Sequence, residues 1–445
     1  MTDRTAENSP GVSLERIAAT WWPLAASWLL MSLEGPALSA FVARLADPEI
    51  HLAAYGGVVF PMALIIESPI IMLLAASTAL SKDWASFAKV RRFMMRASAI
   101  LTALHALVAF TPLYYVVVRG LIGAPEEVIQ PARLGLCIML PWTWSIAYRR
   151  FHQGVLIRFG WSRSVSVGTL VRLLADLAVL ACGYAIGTLP GTVVATAAVA
   201  TGVVSEAAFI GLRARPLIRG PLRQSPPVEP PLTWRDFFAF YVPLAMTSLL
   251  SLLMQPIGAA GLSRMPDALS SLATWPVVSG LVFMLRSAGM AYNEVVVALL
   301  DEPGAWRNLR RFAGLLAAAL SGLLLVLAAT PLADFWFRTV SGLNPTLANL
   351  AQRAIWYALP IPALTAVYSW YQGVMVHARH TRGITEAVVI FLALTSGLMA
   401  AGVAWGGAPG IYVAWAALGI GTLAQTAWLA IRTRPVIRAV RARDT

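Results

Sequence analysis

Apolar runs of roughly 20 to 30 residues, separated by short polar breaks, follow one another along the whole chain. They predict helices near 17–46, 50–80, 93–118, 130–157, 164–187 and 190–212, and a second set near 236–263, 268–300, 312–333, 348–376, 384–404 and 409–431. Each run is long enough to cross a bilayer as a helix that satisfies its own backbone hydrogen bonds. The first run is unusual, because Trp22 to Asp47 carries Glu34-Gly35-Pro36 at its centre, a carboxylate followed by a pair that bends a helix. The run returns 220 residues later as Val242 to Asp267, with Pro23, Leu24, Ala25, Leu29, Leu30, Leu33, Pro36, Ala40, Arg44 and Asp47 each meeting an identical residue. Glu34 meets Met254 instead. Further on, Leu140-Pro141 and Gln153-Gly154-Val155 match Leu359-Pro360 and Gln372-Gly373-Val374 at an offset of 219, as do Pro190-Gly191 and Gly202 with Pro409-Gly410 and Gly421.

These matches predict an all-α polytopic membrane protein of twelve transmembrane helices in two parallel six-helix repeats. An even number of spans per repeat gives both copies the same orientation and a pseudo-two-fold along the membrane normal. The expected domains are an N-terminal segment 1–16, an N-lobe 17–212, a linker 213–235, a C-lobe 236–431 and a basic tail 432–445. Pro216, Pro221, Pro226, Pro227, Pro230 and Pro231 predict a non-helical linker.

Composition narrows the class further. With 58% hydrophobic and 12% charged residues and a mean hydropathy of +0.70, a soluble globular chain is excluded. The net charge of +13 would suggest nucleic acid in a soluble protein; here the positive-inside rule accounts for it. Of 34 Lys and Arg, 23 fall on the side of the termini and linker, against six (Arg44, Arg119, Arg133, Arg264, Arg338, Arg353) on the other. Both termini and the linker are therefore expected in the cytoplasm, in a bacterial inner membrane. Cys137 and Cys182 lie in apolar runs, and no His, Cys or Asp/Glu spacing proposes a metal site.

Ionisable groups inside spans are costly enough to need a partner, a wet cavity or a task. Glu34, Glu67, Asp176 and Glu206 are candidates for ion coupling, and Glu67-Ser68-Pro69 repeats the acid-beside-proline chemistry of Glu34. Pro36, Pro256 and Pro69 are the expected helix bends. Arg172 and Asp176 stand four apart and can pair directly. Arg149 and Arg150 point about 100° apart, so one can face a cavity while the other snorkels. Arg286 lies mid-span with Asn293 and Glu294 nearer the linker side. Either it binds an anion, or it bridges to Glu67 or Glu34. Gln153 and Gln255 complete the substrate-binding candidates. Glu67 aligns with Arg286 on the 219 register and with Ser287 on the 220 register.

Two six-helix repeats, long second and eighth spans and a Gln-Gly-Val near the end of the fourth and tenth look like the MOP superfamily of exporters and flippases, which includes the MATE exporters. Leu52-Ala53-Ala54-Tyr55-Gly56, Gln255-Pro256-Ile257, Leu262-Ser263-Arg264 and Leu272-Ala273-Thr274-Trp275-Pro276-Val277 are similar to its progressive ankylosis (ANK) branch. The resemblance implies a V-shaped pair of lobes rocking about a central cavity, with the coupling acid in the N-lobe. It also implies export of a small anion such as citrate, pyrophosphate or a nucleotide. The expected function is thus a monomeric, gradient-driven exporter of an anionic solute that uses H⁺ or Na⁺ and no other cofactor. A multidrug antiporter and a lipid-linked glycan flippase are the alternatives. A membrane-embedded enzyme is set aside because no nucleophile and base come together in the pattern.

Overall fold

The computed structural model describes residues 12–302, 304–378, 380 and 382–444. Residues 1–11 of the expected N-terminal segment, and Arg4 and Arg379 among the linker-side charges, lie outside the described residues. The described chain is helical, with no strand. Its main helices are α1 (Leu14–Val42), α2 (Pro48–Leu80), α3 (Trp84–Phe110), α4 (Glu126–Ile138 and Leu140–Arg158), α5 (Ser162–Ile186) and α6 (Gly191–Gln224). After the linker come α7 (Trp234–Ser263), α8 (Ala268–Leu299), α9 (Ala305–Ala329), α10 (Pro345–Ala358 and Ile361–His377), α11 (Arg382–Trp405) and α12 (Gly410–Val440). Ten of these are long and apolar enough to cross a membrane; α4 and α10 are each split into two shorter helices. This is an integral membrane protein.

The helix ends depart from the apolar pattern where polar residues cap or extend them. Asp83 accepts the Ser86 amide at 2.8 Å and starts α3 about two turns before its apolar run. The segment 213–235 is helical for half its length, contrary to expectation. Helix continues to Arg219 and resumes at Pro221–Gln224, leaving Gly220 and 225–233 irregular. Pro216 removes a single bond near the helix end, and burial of Leu217 and Leu222 offsets it. The tail expected from 432 is likewise helical, to Asp444.

The bends fall where the prolines place them. α1 breaks at Leu33 and α7 at Leu253, each three residues before Pro36 or Pro256, whose missing amide leaves a carbonyl of the preceding turn unbonded. In α2 the break comes at Met72, three residues after Pro69.

α2 also contains a π-helical stretch, Ala53–Val59, which α8 lacks. A π-bulge absorbs one extra residue without disturbing the helix on either side, which is the change from an offset of 220 at Leu52 to 219 beyond it. The hydroxyls of Ser68 and Ser287 bond in the same way, to Ile65 O and Met284 O, both at 2.8 Å. On the 219 register these two serines align, and Glu67 aligns with Arg286.

The halves meet through α2 and α8, where glycines permit close approach. A Cβ on Gly56 would lie 2.5 Å from the Pro276 ring, and one on Gly57 2.7 Å from Leu272. The first part of α1 packs Ile17 and Ala25 with Ala288 and Tyr292 of α8. Reciprocally, Tyr241 of α7 meets Phe93 edge to face at 4.7 Å and donates to Pro69 O at 2.5 Å.

On the face opposite the linker, two arginines cross between the halves. Arg44, after α1, donates to Thr339 O (2.6 Å) and Val340 O (3.0 Å), at the end of a π-helical turn, Phe335–Val340. Arg264, after α7, donates to Gly120 O, Leu121 O and Ile122 O at 3.0, 2.8 and 2.7 Å, at the end of the matching turn Val116–Ile122. Each guanidinium lies against a left-handed glycine, Gly342 or Gly123, both at φ 74°.

Candidate functional site

The polar residues expected inside the first half converge on one buried network. The break at Leu33 makes Glu34 the first residue of the second part of α1, where its carboxylate reaches Arg172 of α5. Arg172 Nη2 donates to both carboxylate oxygens, at 2.6 and 2.5 Å. The expected pair with Asp176 is looser, 3.8 Å from Arg172 Nε, because the guanidinium is turned toward α1. Asp176 is buried with neither carboxylate oxygen hydrogen-bonded among the described residues. It fits only because position 202 is glycine, where a Cβ would lie 1.7 Å from Asp176 Oδ1. The second half keeps this socket, with Gly421 beneath Thr395, but holds a hydroxyl in place of the acid.

A second pair lies deeper. Arg149 Nη1 donates to Glu206 Oε2, and Gln153 Nε2 donates to Glu206 Oε1 at 2.9 Å. Both members of the ion pair are buried. Glu67 is also buried, and its Oε2 has no hydrogen-bond partner among the described residues. Arg150 is half-buried with no hydrogen bond or ion pair among the described residues, and its Nε is shielded from solvent. The first half thus gathers four carboxylates (Glu34, Glu67, Asp176, Glu206) and three guanidiniums (Arg149, Arg150, Arg172). Full ionisation leaves it with one negative charge in excess.

A small cavity of about 100 Å³ opens onto this network between the halves, walled by Glu34, Arg149, Thr169 and Arg172 with Trp28 on one side and Phe283 of α8 on the other. Glu34, Arg149 and Arg172 reach the cavity wall, while Asp176 and Glu206 stand behind them as counter-charges.

Arg286, one turn beyond Phe283, is half-buried and bonded to nothing among the described residues. The bridge to Glu67 or Glu34 that the sequence allowed is not formed, since Glu34 is taken by Arg172. Gln255 is half-buried in α7, and Asn293 Oδ1 is buried without a partner. Glu294 is exposed and stands apart from the cluster. Sequence reasoning missed Thr169, although its place three residues before Arg172 puts it on the same helix face. Trp28 and Phe283 carried no distinguishing signal among so many aromatic residues.

No family model and no curated sequence matches this chain. Its shape does have counterparts. An inward-facing multidrug resistance MATE family transporter of the MOP superfamily superposes with a TM-score of 0.65, at 15% identity over 96% of this chain and 100% of that one. The lipid II flippase MurJ, in an inward closed conformation, gives 0.72 at 13% identity over 94% and 90%. The chain has the MATE fold. A MOP superfamily transporter from Pyrococcus furiosus shares it, with a TM-score of 0.59 and 15% identity over 98% of this chain and 99% of that one; it is described as having a binding pocket of reversed polarity. In the present MATE fold the charge is lopsided: the second half has Tyr368, Ser369, Phe391 and Gln425 where the first has Arg149, Arg150, Arg172 and Glu206.

Proposed function

We propose that this chain is a secondary active transporter in which two six-helix lobes, 17–212 and 236–431, alternate about the cleft between them. It exports a small anionic solute of the citrate, pyrophosphate or nucleotide class, works as a monomer in a bacterial inner membrane and keeps its termini in the cytoplasm. The observation that carries coupling is the excess of carboxylates in the first lobe, where among the described residues Asp176 lacks hydrogen bonds and shares Arg172 with Glu34. A proton or Na⁺ at Asp176 or Glu67 neutralises the cluster, and at Asp176 it frees Arg172 to hold Glu34 alone, so that occupancy is reported at the bend of α1. The anion is drawn to Arg150 and Arg286, interior guanidiniums without a carboxylate partner among the described residues. Opposite charges at the equivalent positions Glu67 and Arg286 let one lobe take the coupling ion and the other the substrate.

The test is reconstitution into vesicles with an internal pH dye and an imposed H⁺ or Na⁺ gradient, followed by addition of citrate, pyrophosphate or nucleotide. Uptake coupled to ion movement is expected. Asp176→Asn should uncouple it, and Arg286→Ala should weaken the anion by about tenfold to a hundredfold, the value of a charge-assisted contact. Unchanged transport in Arg286→Ala would remove the anion site. Likeness to MurJ favours a second reading, a lipid-linked anion such as a pyrophosphate-bearing glycan carrier, and translocation of that lipid with no response to soluble anions would select it.

A further inference from the structure

Away from the buried network, the linker-side end of α3 carries a groove of about 380 Å³ walled by Trp84, Phe87, Arg91, Arg92, Met95 and Arg96. The three arginines are exposed, and none is paired with a carboxylate among the described residues. Some surface arginines are neutralised: Arg16, Arg119, Arg338 and Arg432 each hold a carboxylate at 3.0 Å or less. Asp83, at the head of the same helix, is committed to the amides of Ser86 and Val228 at 2.8 and 3.0 Å. The groove therefore presents unneutralised positive charge.

The surface below it distinguishes between sources of anion. Arg92, Arg96, Ile100, Leu104 and Leu107 succeed one another at steps of four, four, four and three residues, which places them on one face of α3. Ile100, Leu104 and Leu107 are 67%, 42% and 50% exposed in a helix apolar enough to span the membrane, so their neighbours are acyl chains. From Arg96 to Leu107 the face runs about 16 Å at 1.5 Å per residue, close to the roughly 15 Å hydrocarbon depth of one leaflet. A soluble anion would use only the arginines, whereas a phospholipid uses the whole face.

We propose that this face of α3 is a binding site for an anionic phospholipid, with the headgroup phosphate between Arg92 and Arg96, Arg91 beside it, and an acyl chain along Ile100, Leu104 and Leu107. Native mass spectrometry of the purified full chain, with phosphatidylglycerol or phosphatidylcholine added to the detergent, tests it. Phosphatidylglycerol adducts are expected to survive where phosphatidylcholine adducts are lost. The double variant Arg92→Gln/Arg96→Gln should lower their retention about fivefold per arginine. Ile100→Asn, which leaves the arginines alone, should also weaken the lipid. Equal retention by the double variant, or equal retention of the two lipids, would overturn the proposal. So would displacement of the lipid by an equal concentration of glycerol phosphate, which would mark a site for soluble anions.

Discussion

Arg149 and Arg150 are neighbours in sequence, yet one is locked to Glu206 inside the first half and the other holds no partner among the described residues. The angle between adjacent helical positions explains the difference, and it sets what each substitution does. Removing one member of a buried pair strands the other, at a cost of about 3–5 kcal/mol, while replacing both with apolar side chains is close to neutral. Glu206→Ala is therefore expected to lower the melting temperature sharply in detergent, with Arg149→Met/Glu206→Leu recovering most of the loss; equal destabilisation by both would contradict the pairing. Arg150→Met should leave stability nearly unchanged and show its effect in transport. At this scale the sequence was only partly legible. The place of Glu34 before Gly35-Pro36 marked it as special, but its partner Arg172 is 138 residues away, and helical periodicity reveals only neighbours three or four positions distant. The same limit made Arg172 and Asp176 look like a closed pair when they form one edge of a larger network.

Among the elements, the proline bends were legible because the missing amide acts locally, and α1 and α7 break at corresponding residues. The π-helical stretch of α2 was not. The sequence showed that an offset changes between Leu52 and Leu140, and only the hydrogen bonding shows where the extra residue is stored. Deleting Val58 is accordingly expected to close the bulge into α-helix and keep Glu67 in phase, with folded protein recovered by size-exclusion chromatography. Deleting Ile65, beyond the bulge, rotates the helix by about 100° between the bulge and Glu67 and should yield aggregated protein. Equal recovery of the two would contradict the bulge as the site of insertion. Helix ends were the least legible, since apolar runs mark what a bilayer covers, while Asp83, Leu217 and Leu222 decide where helix begins and stops.

At the scale of the molecule, the paired identity of Arg44 and Arg264 was visible in the sequence, but their task was hidden because their acceptors are main-chain carbonyls of the opposite half. Any rigid separation of the halves on that face must part both contacts. Loss of each arginine should favour separation by about 1–3 kcal/mol. In a background of Cys137→Ser/Cys182→Ser, spin labels at Leu121→Cys and Ser263→Cys should report longer distances when Arg44→Ala and Arg264→Ala are combined. An unchanged distribution would show that the contacts do not hold that face shut. Both guanidiniums are exposed, so water can replace each carbonyl as the contact parts, and no buried charge is stranded on the way. The latch thus opens into the aqueous phase on the side opposite the linker. Solutes there that compete for guanidinium or peptide groups can reach it without entering the bilayer, which would make the balance between closed and open states sensitive to the medium on that side.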